Sequence, residues 1–216
     1  MPNGSAFHKE FRAMKIRFLA VATTLGCAAV LASAIVARAT PTPVEAPTYT
    51  VDAVHSGVFF RIRHMGVSNF YGRFNAISGT FSFDPANLEG CSISVEVPVD
   101  SVDTNNESRD NHLKGPDFFN APEHPKATFR STSFEKISDS QYSVKGDLSF
   151  HGKTNDVTAV FNWIGEGDRG ERMGYRAGFD VTLEFERSEW GVDHYLKEGG
   201  LGDTITLLVA IEGQRK

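Results

Sequence analysis

The stretch Ser56-Gly-Val-Phe-Phe-Arg-Ile-Arg-His64 decides the fold. Ser56, Val58, Phe60, Ile62 and His64 share one face, while Phe59, Arg61 and Arg63 share the other. That period of two belongs to a half-buried β-strand and not to a helix. The rhythm continues outward. Phe70, Gly72 and Phe74 alternate, then Gly79, Phe81 and Phe83 lead into the turn signal Asp84-Pro-Ala-Asn-Leu-Glu-Gly90, which predicts a hairpin. Ile93, Val95, Val97 and Val99 alternate most cleanly, and residues 127–134, 142–150, 157–163, 175–185 and 204–211 follow, separated by Gly, Asp, Asn and Ser clusters. Eight or more strands in succession close most simply into an all-β, single antiparallel eight-stranded barrel, which removes exposed edges. A sandwich of two sheets is the other architecture the pattern allows.

One long gap interrupts the strands, between Asp100 and Lys126, and it contains Ser108-Arg-Asp-Asn-His-Leu-Lys-Gly-Pro-Asp-Phe-Phe-Asn120. An N-cap choice followed by helix-tolerant residues predicts a short helical insertion near residues 105–120. Its Arg109, Asp110, His112 and Lys114 would suit acid/base chemistry, but they equally suit a cap over one barrel end. In the cap reading Arg109 and Asp110 hold the insertion through hydrogen bonds to strand termini, with Leu113, Phe118 and Phe119 as apolar anchors. In the gate reading the two phenylalanines line the lumen and a nearby cation meets a polar or phosphate head group.

Ahead of the strands, Met14-Lys15-Ile16-Arg17 is a basic start followed by an apolar run to Val36 and the small-residue pattern Ala37-Arg38-Ala39. Residues 1–39 are therefore predicted to be a signal peptide, with Met14 the alternative start, giving a periplasmic protein. An uncleaved anchor and lipidation at Cys27 are the competing readings. Residues 40–48 form a Pro/Thr linker, and 49–216 form the domain. Loss of the leader takes Lys+Arg from 22 to 17 and Asp+Glu from 27 to 26, leaving a net charge of about −9, which argues against nucleic acid as a partner. Cys91 would then be the single cysteine, a small buried hydrophobe or a route to a disulfide-linked dimer.

Several separated motifs together resemble the YceI-like family. They include Tyr49-Thr-Val-Asp-Ala-Val-His-Ser56, Gly72-Arg-Phe74, Gly79-Thr-Phe-Ser-Phe-Asp-Pro85, Arg109-Asp-Asn-His-Leu113 with Asp117-Phe-Phe119, Pro125-Lys-Ala-Thr-Phe-Arg-Ser131, Gly146-Asp-Leu-Ser-Phe-His-Gly-Lys-Thr154 and Arg187-Ser-Glu-Trp-Gly191. Glu189-Trp190 departs from the Asp-Phe usual in the family, and Phe150 from a smaller aliphatic. The resemblance implies a lipocalin-like barrel that holds a polyisoprenoid, quinone-like or long acyl chain, works outside the cytoplasm, and meets membranes or membrane redox proteins transiently. It implies no catalytic centre and no cofactor beyond the bound lipid.

Strand parity nominates the lumen. Phe60, Ile62, Phe74, Phe81, Val95, Val97, Phe129, Leu148, Phe179, Leu183, Leu207 and Val209 share inward positions, and Trp190 joins them. Glycines at 72, 79, 146 and 152 either make room for a ligand or serve bulges and bends. His64 lies on the inward face and is the histidine placed to meet a head group; His55 and His151 suit hydrogen bonds at the barrel ends. No His-x-x-x-His pair occurs, and Cys91 has no cysteine or histidine close by in the sequence, so no metal site is predicted. Gly-x-Ser-x-Gly is absent as well. A hydrolase of lipid-like substrates with His64 or His112 as base remains the alternative, and a barrel filled by its own side chains is a third.

Overall fold

The structure is a computed structural model describing residues 46–216. The predicted leader over residues 1–39 lies outside the described residues, as do residues 40–45 of the predicted linker. The chain forms β1 (Thr48–Val51), β2 (Gly57–His64), β3 (Ser68–Phe74), β4 (Ser78–Ser82), β5 (Ser92–Pro98), β6 (Val102–Asp103), α1 (Glu107–Lys114), β7 (Lys126–Lys136), β8 (Gln141–Phe150), β9 (Lys153–Asp168), β10 (Tyr175–Glu186) and β11 (Leu201–Arg215). The first six strands combine in pairs into three broken staves. β1 pairs with β4 while β2 pairs with β3, and β4 pairs with β5 while β3 pairs with β6.

Every stave is antiparallel to the next in sequence, and β11 closes the circuit. One edge of β11 runs along β10, and the other takes β2 from Leu201 to Ala210 and then β1 at Gly213–Arg215. The result is the predicted closed barrel of eight staves. Local chemistry explains its breaks. Pro98 offers no N–H to a ladder and ends β5 at a 3-10 turn, Val99–Ser101. His151 and Gly152, with φ of 50° and 75°, make the two-residue loop between β8 and β9 that such paired positive angles favour.

Beyond the predicted segment 157–163 a bulge opposite Gly178 and Phe179 interrupts β9; within the predicted segments parity fails only in β7. There a bulge between Ser131 and Ser133 swaps the inward side from Phe129 to Phe134. Inward side chains divide into two clusters. The larger fills one end of the barrel, where Tyr49 stacks on Phe81 with ring centres 4.9 Å apart and Phe83 lies 4.8 Å from Phe161 and 4.5 Å from Trp163. The smaller unites Leu148, Val157, Ala159, Leu183 and Trp190.

The inward glycines serve this packing. A Cβ on Gly72 would lie 2.2 Å from the Phe60 ring, one on Gly146 2.6 Å from Phe129, and one on Gly213 2.4 Å from Phe81. All three admit phenyl rings of neighbouring strands, a role not foreseen for Gly72, while Gly146 also stands opposite the β7 bulge, one of the roles foreseen for it. Gly79 instead sits where a Cβ would meet the Ser94 carbonyl oxygen at 2.2 Å, a close approach of two backbones.

The insertion contains α1, which is shorter than predicted because Gly115 ends it. Asn106 caps its start by accepting the Arg109 N–H at 2.9 Å, and Glu107 and Asp110 place negative charge in the first turn. The chain then folds back, with the Phe119 N–H donated to the Leu113 carbonyl at 2.9 Å. Among the described residues no helix is long and apolar enough to cross a membrane.

Candidate ligand site

At the barrel end carrying α1 lies a cavity of about 440 Å³. Phe60 and Ile62 of β2, Phe74 of β3, Leu148 of β8 and Leu207 of β11 form its wall, as the parity argument predicts. Phe118 and Phe119 line it from the insertion. A second cavity of about 110 Å³ abuts it toward the filled end, lined by Val95, Val97, Phe129, Phe179, Leu183 and Val209 among others. Phe74, Ala127, Leu148 and Leu207 border both spaces. The interior is thus not wholly filled by its own side chains.

Phe81 and Trp190 lie outside both cavities, which corrects their nomination as lumen residues. Phe81 points inward but stands in the aromatic plug between Tyr49 and Phe179. Trp190 lies in a 3-10 turn, Arg187–Trp190, where it is fully buried, packs edge-on to Phe185 at 4.8 Å and donates its indole N–H to the Leu148 carbonyl at 3.1 Å. The tryptophan therefore supports the wall from behind and does not narrow the space. Phe70, Phe150 and Phe185 do line the cavity. They share parity with Phe74, Leu148 and Leu183, so the signal was present in the strands.

The polar groups of the wall gather at the α1 end: His64, Arg109, His112, Arg187 and Tyr195. Arg109 donates from Nε to Thr104 Oγ1 at 2.8 Å and from Nη2 to the Thr104 carbonyl at 2.7 Å, with its guanidinium 4.4 Å from the Phe70 ring centre. Asp110 Oδ1 accepts the Thr104 N–H at 2.9 Å and its hydroxyl at 2.5 Å. Both side chains thus tie α1 to the end of β6, the geometry of the cap reading, while Arg109 also faces the cavity.

Arg187 is 3 % exposed. Its Nε and Nη1 reach the carbonyls of Gly202 at 2.9 Å and Val192 at 2.7 Å. Burial lowers its pKa, opposed by the fields of Asp203 and Asp193; an arginine nevertheless keeps its proton. Sequence reasoning placed Arg187 in a motif without assigning it a role.

His64 makes no side-chain hydrogen bond among the described residues, so no carboxylate orients it as a base. His112 Nε2 contacts Asp117 Oδ2 at 3.1 Å. His55 Nδ1 contacts Asp52 at 3.0 Å, and His151 Nδ1 contacts the Trp190 carbonyl oxygen at 3.1 Å. Both therefore hold structure at the barrel ends. Cys91 is half-buried, with burial raising its thiol pKa, which disfavours the reactive thiolate.

Comparison with known proteins follows the same lines. The profile of the YceI-like domain matches residues 49–213. A UPF0312 protein of Ectopseudomonas mendocina is 38 % identical over 173 residues, covering 79 % of this chain and 89 % of its own. The crystal structure of Burkholderia cenocepacia BcnA superposes with a TM-score of 0.68 at 24 % identity, over 75 % of this chain and 98 % of that one. A Saccharophagus degradans domain, described as polyisoprenoid binding and implicated in plant cell wall breakdown, superposes with a TM-score of 0.59 at 14 % identity, over 78 % of this chain and 98 % of its own. The chain belongs to the YceI-like family.

Proposed function

We propose that this protein binds one long-chain lipid of the polyisoprenoid, quinone-like or acyl class in the barrel lumen and carries or sequesters it, without transforming it. The observation that carries the reading is the apolar cavity of about 440 Å³, open beneath α1 and continued toward the plugged end by a second apolar space. Its volume lies within the range of small-molecule sites. The polyisoprenoid binding described for the S. degradans domain supports the same ligand class.

The energetics suffice without any charge pair. Each buried methylene contributes about 0.8 kcal/mol, so about 15 carbons contribute on the order of 12 kcal/mol. An association cost of about 4 kcal/mol leaves roughly 8 kcal/mol, which corresponds to micromolar binding. With the polar side chains at the α1 end, the head group lies there and the chain runs inward past Ala127, Leu148 and Leu207. Export under the leader read at residues 14–39 places this activity in the periplasm, between two membranes.

Lipid extraction of protein purified from its native host, followed by mass spectrometry, tests the binding. A stoichiometric long-chain lipid is expected. Its absence, together with no binding of long-chain probes, would overturn the proposal. N-terminal sequencing of the exported form tests the leader, with Thr40 the expected first residue.

A further inference from the structure

The fold brings together three side chains that the sequence keeps apart. His112 lies in the last turn of α1, Asp117 in the turn behind it, and His194 in the loop after the Arg187–Trp190 turn. One ligating atom from each lies within 4.8 Å of the others. We infer that His112, Asp117 and His194 form a site for one borderline divalent cation such as Zn²⁺, which bridges the insertion and the 191–200 loop at the cavity mouth.

The chemistry of the donor set fits. Two imidazoles and one carboxylate suit zinc, and three protein ligands leave a fourth position open. His112 and Asp117 already stand 3.1 Å apart, close to the roughly 3.4 Å that tetrahedral geometry with bonds of about 2 Å requires. The His194 ring centre is 5.7 Å from that of His112, at 80°. Closing the longest separation takes a movement on the order of 1 Å, within the reach of side-chain rotation. The site also lies at the C-terminal end of α1, where the helix dipole favours a cation. His112 and the neighbouring Tyr195 both belong to the cavity wall, so an ion here borders the ligand space.

A second trio, Asp52, His55 and Glu212, has comparable spacing but already has a cation. Arg176 Nη1 lies 2.5 Å from Asp52 and 3.2 Å from Glu212. Asp117, in contrast, forms no ion pair with lysine or arginine among the described residues. Of the two trios, only the one at the mouth therefore has a carboxylate not ion-paired to a permanent cation among the described residues; its contact is the His112 imidazole. Sequence spacing missed it because no two of its histidines share a helical repeat.

The test uses untagged protein titrated with Co²⁺ by absorption spectroscopy and with Zn²⁺ by calorimetry, and needs no lipid, so it stands or falls separately from the proposed function. One-to-one binding in the micromolar range is expected, with tetrahedral cobalt bands. His112→Gln and His194→Gln should each weaken it by about tenfold or more, and His55→Gln should leave it unchanged. Zn²⁺ should slow amide exchange in both residues 107–120 and 191–200 of the natural sequence, and not in His194→Gln. No one-to-one binding at micromolar zinc, binding that His194→Gln leaves intact, or binding without slowed exchange in both segments would each overturn the inference.

Discussion

The Phe119 ring, on the segment behind α1, lies 5.6 Å from that of Phe74 on β3. It lies equally far, 5.6 Å, from Phe150 at the end of β8. One side chain thus fastens the insertion across the barrel mouth to two staves that are not neighbours in the barrel. Phe119→Ala removes that tie, and the half-buried ring costs about 2 kcal/mol to delete, below the range for a full core position. Release of a bound fluorescent acyl probe, followed by stopped flow, should accelerate severalfold. Unchanged release with the expected loss of stability would show that the insertion is not the gate.

Gly72 and Phe60 occupy one piece of space between them. Phe60→Leu frees the volume that an alanine at 72 needs, so the two substitutions should be coupled. Gly72→Ala alone is expected to cost about 1–3 kcal/mol by overpacking, and the double variant should be clearly more stable than the sum of the two single losses. Urea denaturation of the four proteins measures this. Strict additivity would mean that the ring does not rest over Gly72.

Much of this architecture is legible in the sequence because a period of two fixes which side chains face inward, and turn residues fix where each stave ends. Phe60, Ile62 and Leu148 could be assigned to the wall on that basis alone. Parity carries no information about height along the barrel axis, however. Phe81 faces inward like Phe60 yet stands in the plug at the other end. Trp190 lies off the strands altogether, where alternation does not apply. The bulge in β7 reverses the inward side within one strand, which no local residue signal announces. The meeting of His112 with His194 is a product of closure, since the insertion and the 191–200 loop become neighbours only when β11 pairs with β2.

Acid should weaken the barrel through Asp52 and Asp103. The Asp103 pKa is lowered to about 2, first by the Asn105 N–H and then by hydrogen bonds from Arg73 and Asn75. That of Asp52 is also lowered, by hydrogen bonds with His55 and Arg176. Unfolded aspartates titrate near 3.9. The stability these groups provide is therefore complete above about pH 4 and is lost as pH falls toward about 2. Asp103→Asn, which keeps an acceptor for Asn105, should flatten the decline of Tm over that window. Thermal melts followed by circular dichroism between pH 2 and 7 test this, and an unaltered slope would locate the acid sensitivity elsewhere.

Arg187 offers the sharpest test of how the mouth is held. Its buried guanidinium joins the carbonyls of Gly202 and Val192, drawing the start of β11 and the loop behind Trp190 toward one another. Hydrogen bonds from a charged donor contribute about 1.5 kcal/mol or more each, so Arg187→Met should cost about 3 kcal/mol and leave two carbonyls without a donor. Arg187→Lys keeps the charge but has no planar fork to reach both sites, and should fall between the natural protein and the methionine variant. Equilibrium urea unfolding ranks the three. A methionine variant as stable as the natural protein would show that the buried charge is not what joins β11 to the loop.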